Sequence, residues 1–208
     1  MMRLNNIILF FTILLFSCND SSEFDVVIVG GGAGGTSAAI QSARNGAKTL
    51  LIEETNWLGG MLTSAGVSAI DGNYKLPSGF WGEFKDSLVS HYGSLEALKT
   101  GWVSNVLFEP KVGNEILKSI AQNEKNLKIL YSSSTQSVSK HDGNIFNYQI
   151  KTSEGTFFSK ILIDGTELGD LLPMIDDDYD VGMDSNEMYN ENIAMFSLYI
   201  SLLSIPTS

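Results

Sequence analysis

The 208-residue chain is poor in cysteine and in basic residues. It contains one cysteine, and its 13 lysines and arginines face 24 aspartates and glutamates, for a formal net charge of −11. A single thiol excludes a disulfide framework, a redox dithiol and a cysteine-ligated iron–sulfur cluster. Any redox chemistry therefore needs a bound organic cofactor. The scarcity of positive charge disfavours nucleic-acid binding, because that binding depends on neutralising phosphates.

The N-terminal segment has the features of an export signal. One basic residue, Arg3, precedes the apolar run Ile7–Phe16, which is too short to span a bilayer comfortably. Residues 15–18, Leu-Phe-Ser-Cys, resemble a bacterial lipobox, whose cysteine becomes lipidated. We therefore expect a Sec-type signal peptide with lipobox over 1–18, lipidation of Cys18, and a tether over 19–24. The protein would then lie in the cell envelope, held at the periplasmic or outer-membrane surface by the lipid anchor only. The alternative is a plain signal or anchor with an incidental cysteine.

Residues 25–53 contain a glycine-rich turn between two apolar runs. The predicted elements are a strand over Val26–Val29, a helix over Thr36–Asn45 and a second strand over Thr49–Ile52, followed by Glu53. Gly30, Gly32 and Gly35 show the spacing G-x-G-x-x-G directly after the first strand. This order predicts a βαβ unit that binds a dinucleotide.

Each part of this unit has a physical role. The first glycine permits a sharp turn, the second lets the backbone approach a pyrophosphate, and the third packs the helix closely on the strand. The helix N-terminus directs N–H groups at the phosphates. Glu53 is placed to accept hydrogen bonds from a ribose and disfavours a 2′-phosphate. The expected cofactor-binding residues are Gly30, Gly32, Ala33, Gly34, Gly35 and Glu53.

A second glycine-rich segment follows the unit. Gly59, Gly60 and Met61 lie within Trp-Leu-Gly-Gly-Met-Leu-Thr, residues 57–63, which we interpret as backbone against the ligand rather than a surface turn. Residues 63–108 are expected to be an insertion toward the substrate and flavin region. Within them, Phe80, Trp81, Phe84 and Leu88 recur at helical spacing, which predicts a core-facing helix over 80–91. His91, near its end, is interpreted as a helix C-terminal residue rather than a catalytic one.

The rest of the chain returns to the first sheet. A helix is predicted from Pro110 to about Ala121, then a parallel strand over 127–131. Short strands over 135–138, 145–150 and 156–158 predict a β-meander, with His141 exposed beside one of its turns. A buried strand over 160–164 then leads into a turn at Gly165, a further candidate for cofactor contact. Residues 176–208 look irregular.

These motifs resemble those of secreted bacterial FAD-dependent oxidoreductases in the glutathione-reductase-like superfamily, some of which carry the label xanthan lyase. The matching segments are residues 25–35, 50–54, 57–63 and 163–173. The resemblance implies a Rossmann-like α/β fold with a β-meander insertion, an FAD-binding domain over 25–175, and Gly165 in the second FAD-contacting turn. That family more often has Ala where Gly165 stands and Gly where Glu167 stands. It also implies a longer chain, so the sequence suggests a truncated product in which the C-terminal part of the domain is missing and residues 176–208 are out of frame.

The expected function is hydride or electron transfer between bound FAD and a small-molecule or carbohydrate-derived substrate. No residue is singled out as acid, base or nucleophile, and no metal ligands are predicted. An NAD-dependent Rossmann dehydrogenase shares the βαβ unit, and a non-catalytic lipid-anchored fragment is a third possibility. A polysaccharide lyase needs a base beside a uronic acid, and no residue pattern indicates one.

Overall fold

A computed structural model describes residues 22–102, 104–140 and 145–175, which form one mixed sheet with helices packed against it. The strands are β1 Glu23–Val29, β2 Thr49–Ile52, β3 Leu127–Leu130, β4 Thr135–Lys140, β5 Tyr148–Thr152 and β6 Gly155–Asp164. The helices are α1 Ala33–Arg44, α2 Gly79–Tyr92 and α3 Pro110–Gln122, with short 3₁₀ turns at Gly60–Leu62, Glu96–Leu98 and Leu172–Met174. The predicted signal peptide, Cys18, His141 and residues 176–208 lie outside the described residues.

The sheet has the order β3-β2-β1-β6-β5-β4. Strands β3, β2, β1 and β6 are parallel, whereas β4, β5 and β6 form an antiparallel meander. The predicted α/β fold with a parallel sheet and a meander insertion is therefore confirmed. The carboxyl ends of β1, β2 and β6 meet at one edge of the sheet, which is where open α/β sheets bind their ligands.

One long strand replaces two predicted ones. The sequence predicts a meander strand over 156–158 and a separate returning strand over 160–164, and this separation is wrong because Gly155–Asp164 is one continuous strand. The first half of β6 pairs with β5, and from Phe158 onward β6 pairs with β1. Ser159 pairs on both sides, with Tyr148 and Phe24, so the strand changes neighbours without a break.

Alternating side chains of the sheet build two cores. One face of β1 and β2, with Val26, Ile28 and Leu51, packs against the helices. The opposite face, with Val27 and Leu50, packs against the meander. Such burial on both faces explains why these parallel strands appear in the sequence as continuous apolar runs.

Several predicted boundaries need correction. The tether predicted over 19–24 is wrong for its last residues, because Glu23 and Phe24 belong to β1. Phe24 is only 3% exposed, and its ring packs edge-on against Phe157 at 6.1 Å between centroids. The first helix begins at Ala33 rather than Thr36, because residues counted as turn already have helical geometry. Strand β5 begins at Tyr148 rather than Ile145, whose side chain is exposed.

Within residues 63–108, helix α2 contributes to the helical core. Phe84 and Leu88 are buried beside Leu117 of α3, which confirms that the aromatic stripe is core. At the surface, Arg44 at the end of α1 makes a paired hydrogen bond to Glu83 of α2 at 2.7 and 2.8 Å and another to Glu124 after α3 at 2.7 Å. The hydrogen bond from Arg44 lowers the pKa of the Glu83 carboxyl. This cluster ties the three helices together.

Candidate dinucleotide-binding site

The glycine turn after β1 brings three backbone segments into direct contact. Gly30 has a φ of +93°, and a Cβ on it would lie 2.5 Å from the carbonyl oxygen of Gly165. A Cβ on Gly35 would overlap the carbonyl oxygen of Gly30. Side chains at Gly30 and Gly35 are therefore excluded by backbone atoms, which cannot move aside as a side chain could. This is the geometry that the G-x-G-x-x-G spacing predicts.

Gly165 closes the same contact from β6. Its N–H donates to the carbonyl oxygen of Val29 at 2.8 Å, and an added Cβ would lie 2.8 Å from the carbonyl oxygen of Gly30 and 3.0 Å from Cα of Gly35. Backbone atoms therefore exclude a side chain at Gly165 as well. The loop beyond it is held by Asp164, whose carboxylate accepts hydrogen bonds from Thr166 N–H and Oγ1 and from Leu171 N–H.

The N-terminus of α1 presents donors to the space beside this contact. Gly32 caps the helix without a side-chain hydrogen bond, and the first turn contains no acidic residue. The first intrahelical bond runs from Thr36 N–H to the Gly32 carbonyl oxygen at 2.9 Å, which leaves the N–H groups of Ala33, Gly34 and Gly35 without helical acceptors. Uncapped donors together with the helix dipole form an anion-binding position.

The second glycine segment lies against the first. Gly59 N–H donates to the Gly31 carbonyl oxygen at 2.8 Å, and Gly59 pairs with Gly32 as an isolated bridge. Gly60 has a φ of +53°, and a Cβ on it would lie 2.9 Å from Cα of Gly32. The chain then turns so that Met61, 49% exposed, lines the cavity beside α1.

Glu53 organises the end of β2. Its Oε2 accepts a hydrogen bond from Gly31 N–H at 2.6 Å, and its Oε1 accepts from Thr55 N–H and Oγ1 at 2.7 and 2.6 Å. The carboxylate thus joins the glycine turn to the loop after β2. The pKa of the neighbouring Tyr131 is raised, first by burial and second by the charge of Glu53.

Two adjoining cavities, of about 450 and 600 Å³, occupy this edge of the sheet. They share Gly32, Gly165, Thr166 and Glu167. Of the predicted cofactor-binding residues, Gly30, Gly32, Ala33, Gly34, Gly35, Glu53, Gly60, Met61 and Gly165 line one or both. Gly59 lines neither cavity, but its N–H donates a hydrogen bond to the carbonyl oxygen of Gly31 in the glycine turn. His91 is exposed at the end of α2 and lines neither cavity.

Some lining residues were not singled out from the sequence. Thr135, at the start of β4, lines the larger cavity, and its buried hydroxyl has no hydrogen-bond partner in the part of the chain that the structure describes. Thr55 and Ser64 line it as well. Their threonine and serine identities carry no pattern. Thr135 follows Ser132 and Ser133, whose N–H groups donate to the carbonyl oxygens of Thr55 and Glu53. That residues 63–108 extend toward a substrate stays a prediction. Of the described residues in this range, only Ser64 lines one of the two cavities.

Charges around the cavities are of one sign. Glu53, Glu54, Asp164, Glu167 and Asp170 line them, and no lysine or arginine does so among the described residues. In the same part of the chain, no group of three or more histidine, cysteine, aspartate or glutamate side chains is arranged to hold a metal ion. No helix within residues 22–175, as far as they are described, is long and apolar enough to cross a membrane.

Comparison with known proteins gives one family and several structural likenesses. Residues 25–203 match the family described as FAD dependent oxidoreductase, which confirms the prediction of FAD as cofactor. No curated protein sequence matches the chain.

Among solved structures, thioredoxin reductase from T. acidophilum is 27% identical with a TM-score of 0.41, covering 69% of this chain and 35% of its own. Bacillithiol disulfide reductase Bdr from Staphylococcus aureus is 21% identical with a TM-score of 0.45, covering 71% and 39%. L-proline dehydrogenase from P. horikoshii is 14% identical with a TM-score of 0.47, covering 73% and 55%. The chain thus spans little more than a third of the length of the first two proteins.

Proposed function

Because the chain belongs to the family of FAD-dependent oxidoreductases, we propose that the two adjoining cavities hold the adenosine diphosphate half of FAD. The observation that carries this proposal is the contact among Gly30, Gly35 and Gly165, where backbone atoms occupy the space of any side chain. This contact leaves the N-terminus of α1 open toward the cavities. When bound, FAD supplies the redox chemistry by accepting a hydride or electrons.

The pyrophosphate position follows from the donors on α1. The N–H groups of Ala33, Gly34 and Gly35 are free of helical acceptors, and all three residues line the smaller cavity. The space beside Gly34 is open, because a Cβ added there would meet nothing within 4 Å. A phosphate can therefore approach the backbone of α1 at this residue. Charge-assisted hydrogen bonds from such donors are shorter and stronger than neutral ones.

The ribose position follows from Glu53. An ionised carboxylate offers about four lone-pair sites, and Glu53 uses three of them within the protein. The remaining capacity suits one ribose hydroxyl, whereas a 2′-phosphate would meet a fixed negative charge. The hydroxyl of Thr135, which has no partner among the described residues, lines the same cavity and provides a hydrogen-bonding group for the adenosine.

For the whole protein we propose oxidoreductase activity on a small-molecule or carbohydrate-derived substrate. The residues described here would bind and orient the cofactor from its adenosine end. Fixed orientation is what a hydride transfer requires of the protein, because reacting atoms must be held in near-attack geometry.

Equilibrium titration of the purified chain with FAD, FMN and NAD tests the cofactor proposal. FAD should bind most tightly, because FMN lacks the adenosine ribose that Glu53 would hold and NAD lacks the flavin. Flavin fluorescence reports the first two ligands, and calorimetry reports all three on one scale. Preference for NAD over FAD would refute the proposal and favour a dehydrogenase of the nicotinamide type.

We further propose that the protein is exported and lipid-anchored through Cys18. The support is the apolar run followed by Leu-Phe-Ser-Cys at residues 15–18. Expression in a bacterium with a fatty-acid analogue should label the chain, and Cys18→Ser should remove the label. Equal labelling of the variant, or a mature protein that retains residues 1–17, would contradict the proposal.

A further inference from the structure

Among the described residues, Glu167 is the one acidic residue that lines both cavities. It follows β6 by three residues and is exposed. A Cβ placed on Gly60 would lie 3.4 Å from its Oε1 and 2.9 Å from Cα of Gly32. The carboxylate therefore lies near Gly32, the N-cap of α1, beside the position where we place the pyrophosphate.

Nearby carboxylates differ from Glu167 in their bonding. Glu53 and Asp164 are engaged by backbone and threonine donors, which offset part of their charge. Glu167 accepts no hydrogen bond and forms no ion pair among the described residues. No lysine or arginine from the described ranges lines either cavity to neutralise it. Its negative charge therefore acts directly on an anion bound at α1.

We propose that Glu167 is an affinity-determining residue that opposes the cofactor's pyrophosphate and weakens FAD binding below what the glycine turn and α1 alone would give. This inference rests on the proposed function, since it concerns the same cofactor. Like charges a few ångströms apart in a partly solvated cleft repel measurably, and salt screens this repulsion over roughly 10 Å at 0.1 M.

The expected effect is graded with charge. Glu167→Gln should bind FAD roughly three- to tenfold more tightly than the unmodified chain at low salt, because one exposed charge in a hydrated cleft has an effect of this order. Glu167→Lys should bind more tightly again. Both gains should shrink as ionic strength rises, which a change in packing would not produce.

Glu154 provides the matched control. It lies in the tight turn between β5 and β6, is exposed, and lines neither cavity. Glu154→Gln and Glu154→Lys change the net charge equally but should leave the FAD dissociation constant unchanged. Urea unfolding of all variants would establish that they fold alike.

The test is the FAD dissociation constant of the full chain and these four variants, measured by flavin fluorescence at low and moderate salt. Tighter binding by the Glu167 variants alone, diminishing with salt, supports the proposal. Equal binding, weaker binding, or an equal gain in the Glu154 variants overturns it and leaves the FAD assignment standing. No FAD binding by any of the five proteins overturns both.

Discussion

Two neighbouring glycines in the first turn of α1 should respond oppositely to the same substitution. A Cβ on Gly35 would overlap the carbonyl oxygen of Gly30 and lie 3.4 Å from Cγ2 of Ile28, whereas a Cβ on Gly34 would meet nothing within 4 Å. Gly35→Ala therefore forces α1 away from β1, while Gly34→Ala only removes backbone freedom from the unfolded chain.

The magnitudes follow from these contacts. Overpacking typically costs 1–3 kcal/mol, and here the obstacle is backbone, so we expect Gly35→Ala to lower the free energy of unfolding by about 3 kcal/mol. For a chain of this size that corresponds to a melting temperature lower by roughly 6–12 °C. Gly34→Ala should raise the free energy of unfolding by about 0.4–1 kcal/mol.

Urea unfolding followed by tryptophan fluorescence measures both variants, since the chain has three tryptophans. The comparison controls for residue type, helix position and chain length, because only the space at Cβ differs. Equal stabilities for the two variants, or a stable Gly35→Ala protein, would refute the close β1–α1 approach on which the cofactor site depends.

Three further substitutions test other parts of the structure. Thr135→Val should weaken FAD binding by about 0.5–1.5 kcal/mol, the net value of one hydrogen bond. The free energy of unfolding should not fall, because the hydroxyl has no hydrogen-bond partner among the described residues. Calorimetry measures the first effect and urea unfolding the second. Glu53→Ala should weaken FAD binding by about 1.5–3 kcal/mol, as for a lost charged hydrogen bond, and unchanged affinity in a titration would remove Glu53 from the ribose site. Because the pKa of Glu83 is lowered in the folded protein, its ion pair with Arg44 stabilises the fold fully above the ordinary glutamate pKa. This stabilisation is lost as the pH falls through the lower pKa of the folded state. Glu83→Gln should remove this pH dependence from thermal melts, by less than about 1 kcal/mol, since the pair is partly exposed.

The βαβ unit was predictable because its requirements are local. Gly30 must turn out of a strand, Gly35 must pack beneath it, and Glu53 must end the second strand, so spacing along the chain fixes their positions in space. The start of α1 is harder to predict, because glycines usually indicate a turn, and yet Gly34 and Gly35 belong to the helix.

The features missed from the sequence depend on contacts between distant segments. Thr135 lines the cavity beside Glu53 and Thr55 because the chain just before β4 is hydrogen-bonded to these two residues through Ser132 and Ser133. The continuity of β6 depends on Ser159 pairing with two neighbours at once. The sequence does not reveal that Phe24 belongs to a strand, because Phe24 packs against Phe157, more than a hundred residues later.

The crystal structure of the chain with FAD tests the central claim most directly. The account predicts the pyrophosphate oxygens within hydrogen-bonding distance of the N–H groups of Ala33, Gly34 and Gly35, with a ribose hydroxyl on Glu53. Contact between the pyrophosphate and Gly32 should be through backbone alone. FAD bound elsewhere, or with its pyrophosphate away from the start of α1, would contradict the assignment of this site.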